Sequence, residues 1–117
     1  MLDFEVSNFI NGQLVEGNSD QVDTSINPAN GEILAHIRYA TADQTESTVQ
    51  SALAGQAKWA AYSGVERGRI LNEVARLIRA DRMRLAEIES LDVGKPISES
   101  PEADIDSAAD CFEYFAA

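Results

Sequence analysis

Residues 63–94 constrain this chain more than any other stretch. Ile70, Leu71, Val74, Leu77, Ile78, Leu85, Ile88 and Leu91 recur at helical spacing and lay down one apolar stripe. Ser63 and Glu66 stand three apart, the arrangement in which hydroxyl and carboxylate each satisfy an unpaired amide of the first turn. Gly94 stops the helix and Pro96 keeps it from restarting at once. The spacing predicts a single helix of about 28 residues, ~40 Å long at 1.5 Å per residue. Arg67, Arg69, Arg76, Arg79, Arg82 and Arg84 alternate with Glu73, Asp81, Glu87 and Glu89 on what should be the opposite, solvent-facing side, where Asp81 and Arg84 can pair. A helix this long needs partners along its apolar side, and the flanking segments must supply some of them.

The N-terminal third reads as strands. Phe9-Ile10-Asn11-Gly12-Gln13-Leu14-Val15 is a hairpin signal, because Asn-Gly accepts the positive φ values of a type I′ turn between apolar pairs. Val22, Thr24 and Ile26 alternate with Asp23 and Ser25 up to Asn27-Pro28, which with Asn30-Gly31 makes a turn. Ile33, Ala35, Ile37 and Tyr39 then alternate with Leu34, His36 and Arg38, so His36 is expected exposed among the polar alternates. Thr41, with Gln44 three residues on, opens a first helix carrying Val49, Ala52, Leu53, Ala57 and Ala60. A last helix begins near Ser98 or Ser100, tolerating Pro101 in its first turn, with Ile105, Ala108, Ala109, Phe112 and Phe115 as its expected buried face. Cys111 beside that face reads as a small buried hydrophobe. The organisation is strands over 1–40, helices over 41–62, 63–94 and 98–117, and the fold class is α+β.

The charge narrows the partners. Of the net −11, residues 1–46 contribute −7 and 92–117 contribute −6, while 47–91 stand at +2. Without a basic patch, neither nucleic acid nor an anionic membrane surface is an expected partner. The acidic start, MLDFEVSNFI, has no long apolar run and does not read as a secretory signal. No window approaches the ~18–20 apolar residues of a membrane span. One cysteine, Cys111, forms no internal disulfide and fits a cytoplasmic location. Cys111 and His36 together are too few for a zinc site, and nothing in the spacing sets either beside a partner for nucleophilic catalysis. There is no G-x-G-x-x-G, no phosphate-binding P-loop and no H-E-x-x-H.

The order of motifs adds what the residue chemistry leaves open. Phe9-Ile10-Asn11-Gly12, then Asn27-Pro28-Ala29-Asn30-Gly31-Glu32, Trp59, Glu66-Arg67 with Ile70-Leu71, and Leu91-Asp92-Val93-Gly94-Lys95-Pro96 resemble the start of the NAD(P)-dependent aldehyde dehydrogenase superfamily. The ending Ala109-Asp110-Cys111-Phe112-Glu113-Tyr114-Phe115 resembles the betaine aldehyde and aminoaldehyde dehydrogenase branch. The resemblance implies that these residues are part of an α/β, Rossmann-type cofactor domain. It places the catalytic cysteine, the glutamate base, the oxyanion asparagine and the NAD- or NADP-binding turn beyond Ala117, so Cys111 is not the nucleophile and the chain alone is expected to be inactive. The implied parent activity is oxidation of an aldehyde, betaine aldehyde first, by a homo-oligomer; a semialdehyde substrate, or a stand-alone structural or interaction module, are the rival readings. The resemblance further implies a potassium ion held by the main-chain carbonyls of Ser25 and Ile26 and by Asp92, and an aldehyde tunnel lined in part by Asp104. Where plant-type relatives carry a second acid, this sequence has Ser107. Helix N-terminal charge is the competing explanation for Asp104, while Asp106 and Asp110 are assigned to solvent.

Overall fold

The computed structural model describes residues 6–117; the acidic start, Met1 to Glu5, lies outside the described residues. The chain divides into two compact units, Met1–Ala61 and Tyr62–Ala117.

In the first unit, β1 (Asn8–Ile10) and β2 (Gln13–Val15) form an antiparallel hairpin in which Phe9 faces Leu14. Asn11 and Gly12 adopt φ of 51° and 79°, the two left-handed positions that the Asn-Gly pair announced. A second hairpin joins β3 (Val22–Ile26) to β4 (Ile33–Arg38). Its turn is closed by the Asn27 side chain, whose Oδ1 accepts from the Ala29 amide at 2.9 Å, and by Gly31 at φ 77°. One detail departs from the alternation. Leu34, expected among the polar residues, is buried, whereas Ile33 is 45% exposed. The ladder explains it: Ser25 faces Ala35 and Ile26 faces Ile33, leaving Leu34 as an extra residue. An extra residue in a ladder breaks the period of two and re-aims the side chains around it. His36 is exposed, as the alternation predicts.

Helix α1 (Ala42–Ala61) starts at the expected place, though its cap is built differently. Thr41 Oγ1 accepts from the Gln44 amide at 3.3 Å, as a cap should. Gln44 does not reach back to Thr41. Its side chain donates to the Glu16 carbonyl and accepts from the Asn18 amide, while Asn18 Oδ1 accepts from both the amide and the hydroxyl of Thr41. The loop before β3 therefore ties down the helix start.

The second unit corrects the single-helix expectation. Helix α2 (Gly64–Ala80) and helix α3 (Arg82–Val93) meet at Asp81, which leaves helical geometry at φ −105°, ψ 16°. The amide of Asp81 still reaches the Leu77 carbonyl at 3.1 Å, and its own carbonyl accepts from Leu85 at 3.1 Å, so the break is a kink of one residue. Aspartate competes with the helix backbone for hydrogen bonds and is a weak helix former; here its carboxylate is drawn onto Arg84. The two ends behave as expected. Ser63 and Glu66 form the full capping box, and Gly94 closes α3 in the left-handed conformation at φ 81°. The last helix also differs from a plain α-helix over 98–117. A π-helical stretch, Pro101–Asp106, precedes α4 (Ser107–Ala116).

The core of this unit is made of small residues. Gly68, Ala75, Ala86 and Ala109 are buried, while Ile70 and Leu77 stay 42% and 52% exposed. Small side chains let α2 and α4 approach closely, so close that a Cβ at Gly68 would collide with the carbonyl oxygen of Ala116. The arginines assigned to solvent instead bind the seam. Arg79 pairs with Asp110 and Glu113, each at 2.5 Å, and Arg82 forks onto Asp106 at 2.8 and 2.9 Å. Asp106 and Asp110 are thus interhelical partners rather than solvated charges. Phe112 and Phe115, expected buried, are exposed, and so is Cys111.

Candidate functional site

A partly buried ion pair lies just past the end of α3. Gly94 reverses the chain, which sets Lys95 beside the π-helical stretch that follows. Lys95 Nζ donates to Asp104 Oδ1 at 2.6 Å, and both side chains are largely withdrawn from solvent, 31% and 26% exposed. The other carboxylate oxygen, Asp104 Oδ2, is buried and has no hydrogen-bond partner among the described residues. The hydrogen bond to Asp104 holds the Lys95 ammonium above its ordinary pKa, with Glu89 and Glu99 adding the same sign from further away. Nearby, Ser100 is fully buried at the start of the helix. π-Helical turns are uncommon and often accompany functional positions. Here the stretch carries two acids, Asp104 and Asp106, and both meet a cation from the preceding helix or its exit.

Lys95 is the participant that sequence reasoning missed. Its signal was present in the nine-residue separation across a Gly-x-Pro reversal, which is the geometry for a contact between the end of one helix and the first turn of the next. The sequence singles out Asp104, but as a lone charge.

The proposed cation ligands fall in different units. Ser25 and Ile26 end β3 at the place where the ladder with β4 is irregular. Asp92 lies in the last turn of α3 on the surface, next but one before Gly94. Among the described residues, no group of three histidine, cysteine, aspartate or glutamate side chains is arranged to hold a metal ion. Nor is any helix long and apolar enough to cross a membrane. Cys111 lines an apolar groove of about 240 Å³ with Leu71, Phe112 and Phe115, where no base accompanies the thiol.

The described residues thus comprise two short hairpins, helix α1, a kinked helix pair and a π-to-α helix. Residues 14–117 match the aldehyde dehydrogenase family, and the chain belongs to it. Among similar proteins are betaine aldehyde dehydrogenase 1 of Rhizobium meliloti, 45% identical over 111 residues, and the betaine aldehyde dehydrogenase of Rhizobium etli, 43% identical over the same length. Each alignment takes in 95% of this chain and 23% of the relative, so the chain spans about a quarter of their length. Solved structures agree. The NAD-dependent benzaldehyde dehydrogenase of Corynebacterium glutamicum superposes with a TM-score of 0.87 at 30% identity, covering 92% of this chain and 24% of that one. The betaine aldehyde dehydrogenase of Staphylococcus aureus, in complex with NAD+, superposes at 0.84 with 29% identity, covering 94% and 22%. The α+β reading of the sequence holds.

Proposed function

We propose that this segment belongs to an NAD(P)-dependent aldehyde dehydrogenase that oxidises betaine aldehyde to its carboxylic acid. The observation that carries the reading is the 45% identity to a betaine aldehyde dehydrogenase across 95% of the chain. Within such an enzyme a cysteine thiolate attacks the carbonyl, hydride leaves for the nicotinamide, and water releases the acid. None of those groups is assigned to residues 1–117. This segment's part is scaffolding of the cofactor domain and, at Asp104, a contribution to the aldehyde tunnel. A carboxylate there favours a cationic nitrogen by Coulomb attraction in a water-poor channel. Potassium, with the Ser25 and Ile26 carbonyls and Asp92 as oxygen ligands, belongs to the same reading, since a hard cation takes oxygen donors. So do homo-oligomeric assembly and a cytoplasmic location.

The test is to read the coding sequence downstream of Ala117 for a Gly-Gln-x-Cys motif and to assay the protein it encodes. That protein should reduce NAD+ or NADP+ with betaine aldehyde in preference to a semialdehyde, and more stably in potassium than in sodium. Asp104→Asn should lower kcat/KM about fivefold for the cation and leave a neutral aldehyde unaffected. The 117-residue chain alone should reduce neither cofactor. Turnover of a semialdehyde in preference to betaine aldehyde would overturn the substrate assignment, and absence of any dehydrogenase activity would overturn the whole.

A further inference from the structure

Asp104 does not stand alone. One of its oxygens is held by the Lys95 ammonium at 2.6 Å, and the two side chains share a partly buried setting. To a charge several ångströms away, a carboxylate paired with an ammonium is a dipole of no net charge, and its field falls off faster than that of a single anion. We infer that Lys95 is a positioning and charge-setting residue for the aldehyde tunnel: it fixes the Asp104 carboxylate by one oxygen and limits how strongly that carboxylate selects a cationic aldehyde. This rests on the reading of Asp104 as a tunnel residue. It goes beyond that reading by making selectivity a property of the pair.

The backbone supports a fixed rather than incidental pairing. Gly94, in its left-handed conformation, turns the chain out of α3, and the Ser100 amide bonds back to the Pro96 carbonyl at 3.1 Å. Lys95 lies between Gly94 and Pro96, whose backbones these contacts hold, and its side chain runs to Asp104. Lys95 acts through Asp104. Removing its charge exposes the full carboxylate field, while removing the carboxylate leaves an ammonium that repels a cationic substrate.

The experiment compares kcat/KM for betaine aldehyde and for its uncharged isostere, in which a tert-butyl group replaces the trimethylammonium. The two differ in charge and hardly in shape, so their ratio reads the field at the substrate and is insensitive to general damage. In the longer enzyme, Lys95→Met should raise the cation-to-neutral ratio about fivefold. Asp104→Asn should lower it by a similar factor, and the double variant should return near the starting ratio, because both it and the native pair carry no net charge. Lys95→Arg should preserve the native ratio. If Lys95→Met does not fold, Lys95→Gln makes the same change of charge. A ratio unmoved by loss of the Lys95 charge, while Asp104→Asn lowers it, overturns the inference and leaves the tunnel reading standing. A ratio unmoved by either substitution removes the tunnel reading and the inference with it.

Discussion

Gly55 and Gly68 show how far a single residue's role depends on what lies opposite it. Both sit inside helices, where glycine costs ~1 kcal/mol relative to alanine. A Cβ at Gly55 would meet open space, whereas at Gly68 it would strike the main-chain oxygen of Ala116. Gly55→Ala should therefore stabilise the first unit, by ~0.5–1 kcal/mol. Gly68→Ala should destabilise the second, by ~1–3 kcal/mol, since a backbone cannot give way as a flexible side chain can. Denaturant titration of each variant measures both signs, and a stabilising Gly68→Ala would show that the seam is looser than described. The sequence treats the two glycines alike. It does announce Asn11, Gly12 and Gly94, because those obey local turn chemistry, whereas the identity of the atom facing Gly68 is set by a residue almost fifty positions away.

At the scale of elements, the capping box, the first hairpin, the turn between β3 and β4 and the helix stop were all legible, since each depends on neighbours within a few positions. The kink at Asp81 and the face that α2 presents to α4 were not. An apolar stripe predicts which side of a helix seeks cover, but the seam here runs through Gly68, Ala75 and Arg79. Alanine and glycine add little to a hydrophobic stripe yet allow the closest approach, and the arginines reach over them to acids that spacing alone had left in water. Those pairs make a prediction about acid. Arg82 holds Asp106 below the usual carboxylate range, Arg84 does the same for Asp81, and the Ser63 hydroxyl and amide do so for Glu66. Carboxylates whose folded values are depressed bind protons more readily when unfolded, so they stabilise the fold fully above the ordinary carboxylate range. Their contribution is lost as pH falls through that range, near pH ~4, toward the depressed values. All are solvent-accessible, so salt should screen the effect. Circular dichroism melts should show helix stability falling on acidification below about pH 5, less steeply for Arg82→Met; melts unchanged down to pH ~3 would contradict it.

Across the molecule, apolar surface remains uncovered in each unit. Val49 and Leu53 on α1 are 49% and 59% exposed, and Phe115 and Tyr114, packed edge to face at a centroid distance of 5.1 Å, are 70% and 76% exposed. Patches of this kind mark surfaces that ordinarily meet other protein. The isolated 117-residue chain should bind a hydrophobic dye and self-associate despite its charge of −11. A monomer that unfolds cooperatively and leaves the dye dark would refute this. The family resemblance was legible at this scale because it is carried by motif order, which survives where individual contacts cannot be foreseen.

The seam between α2 and α4 also carries a question of alignment. The helices run antiparallel, with Gly68 beside Ala116 and Arg79 beside Asp110 and Glu113. Asp106, Asp110 and Glu113 recur about once per turn, so a slip of one turn would offer Arg79 another acid and lose little attraction. The charges hold the two rods together without deciding where along their length they meet. That decision falls to Gly68, a notch into which one stretch of opposing backbone fits. Charge supplies the adhesive and the missing side chain supplies the address, so a variant that fills the notch can keep its helices paired while setting them in the wrong place.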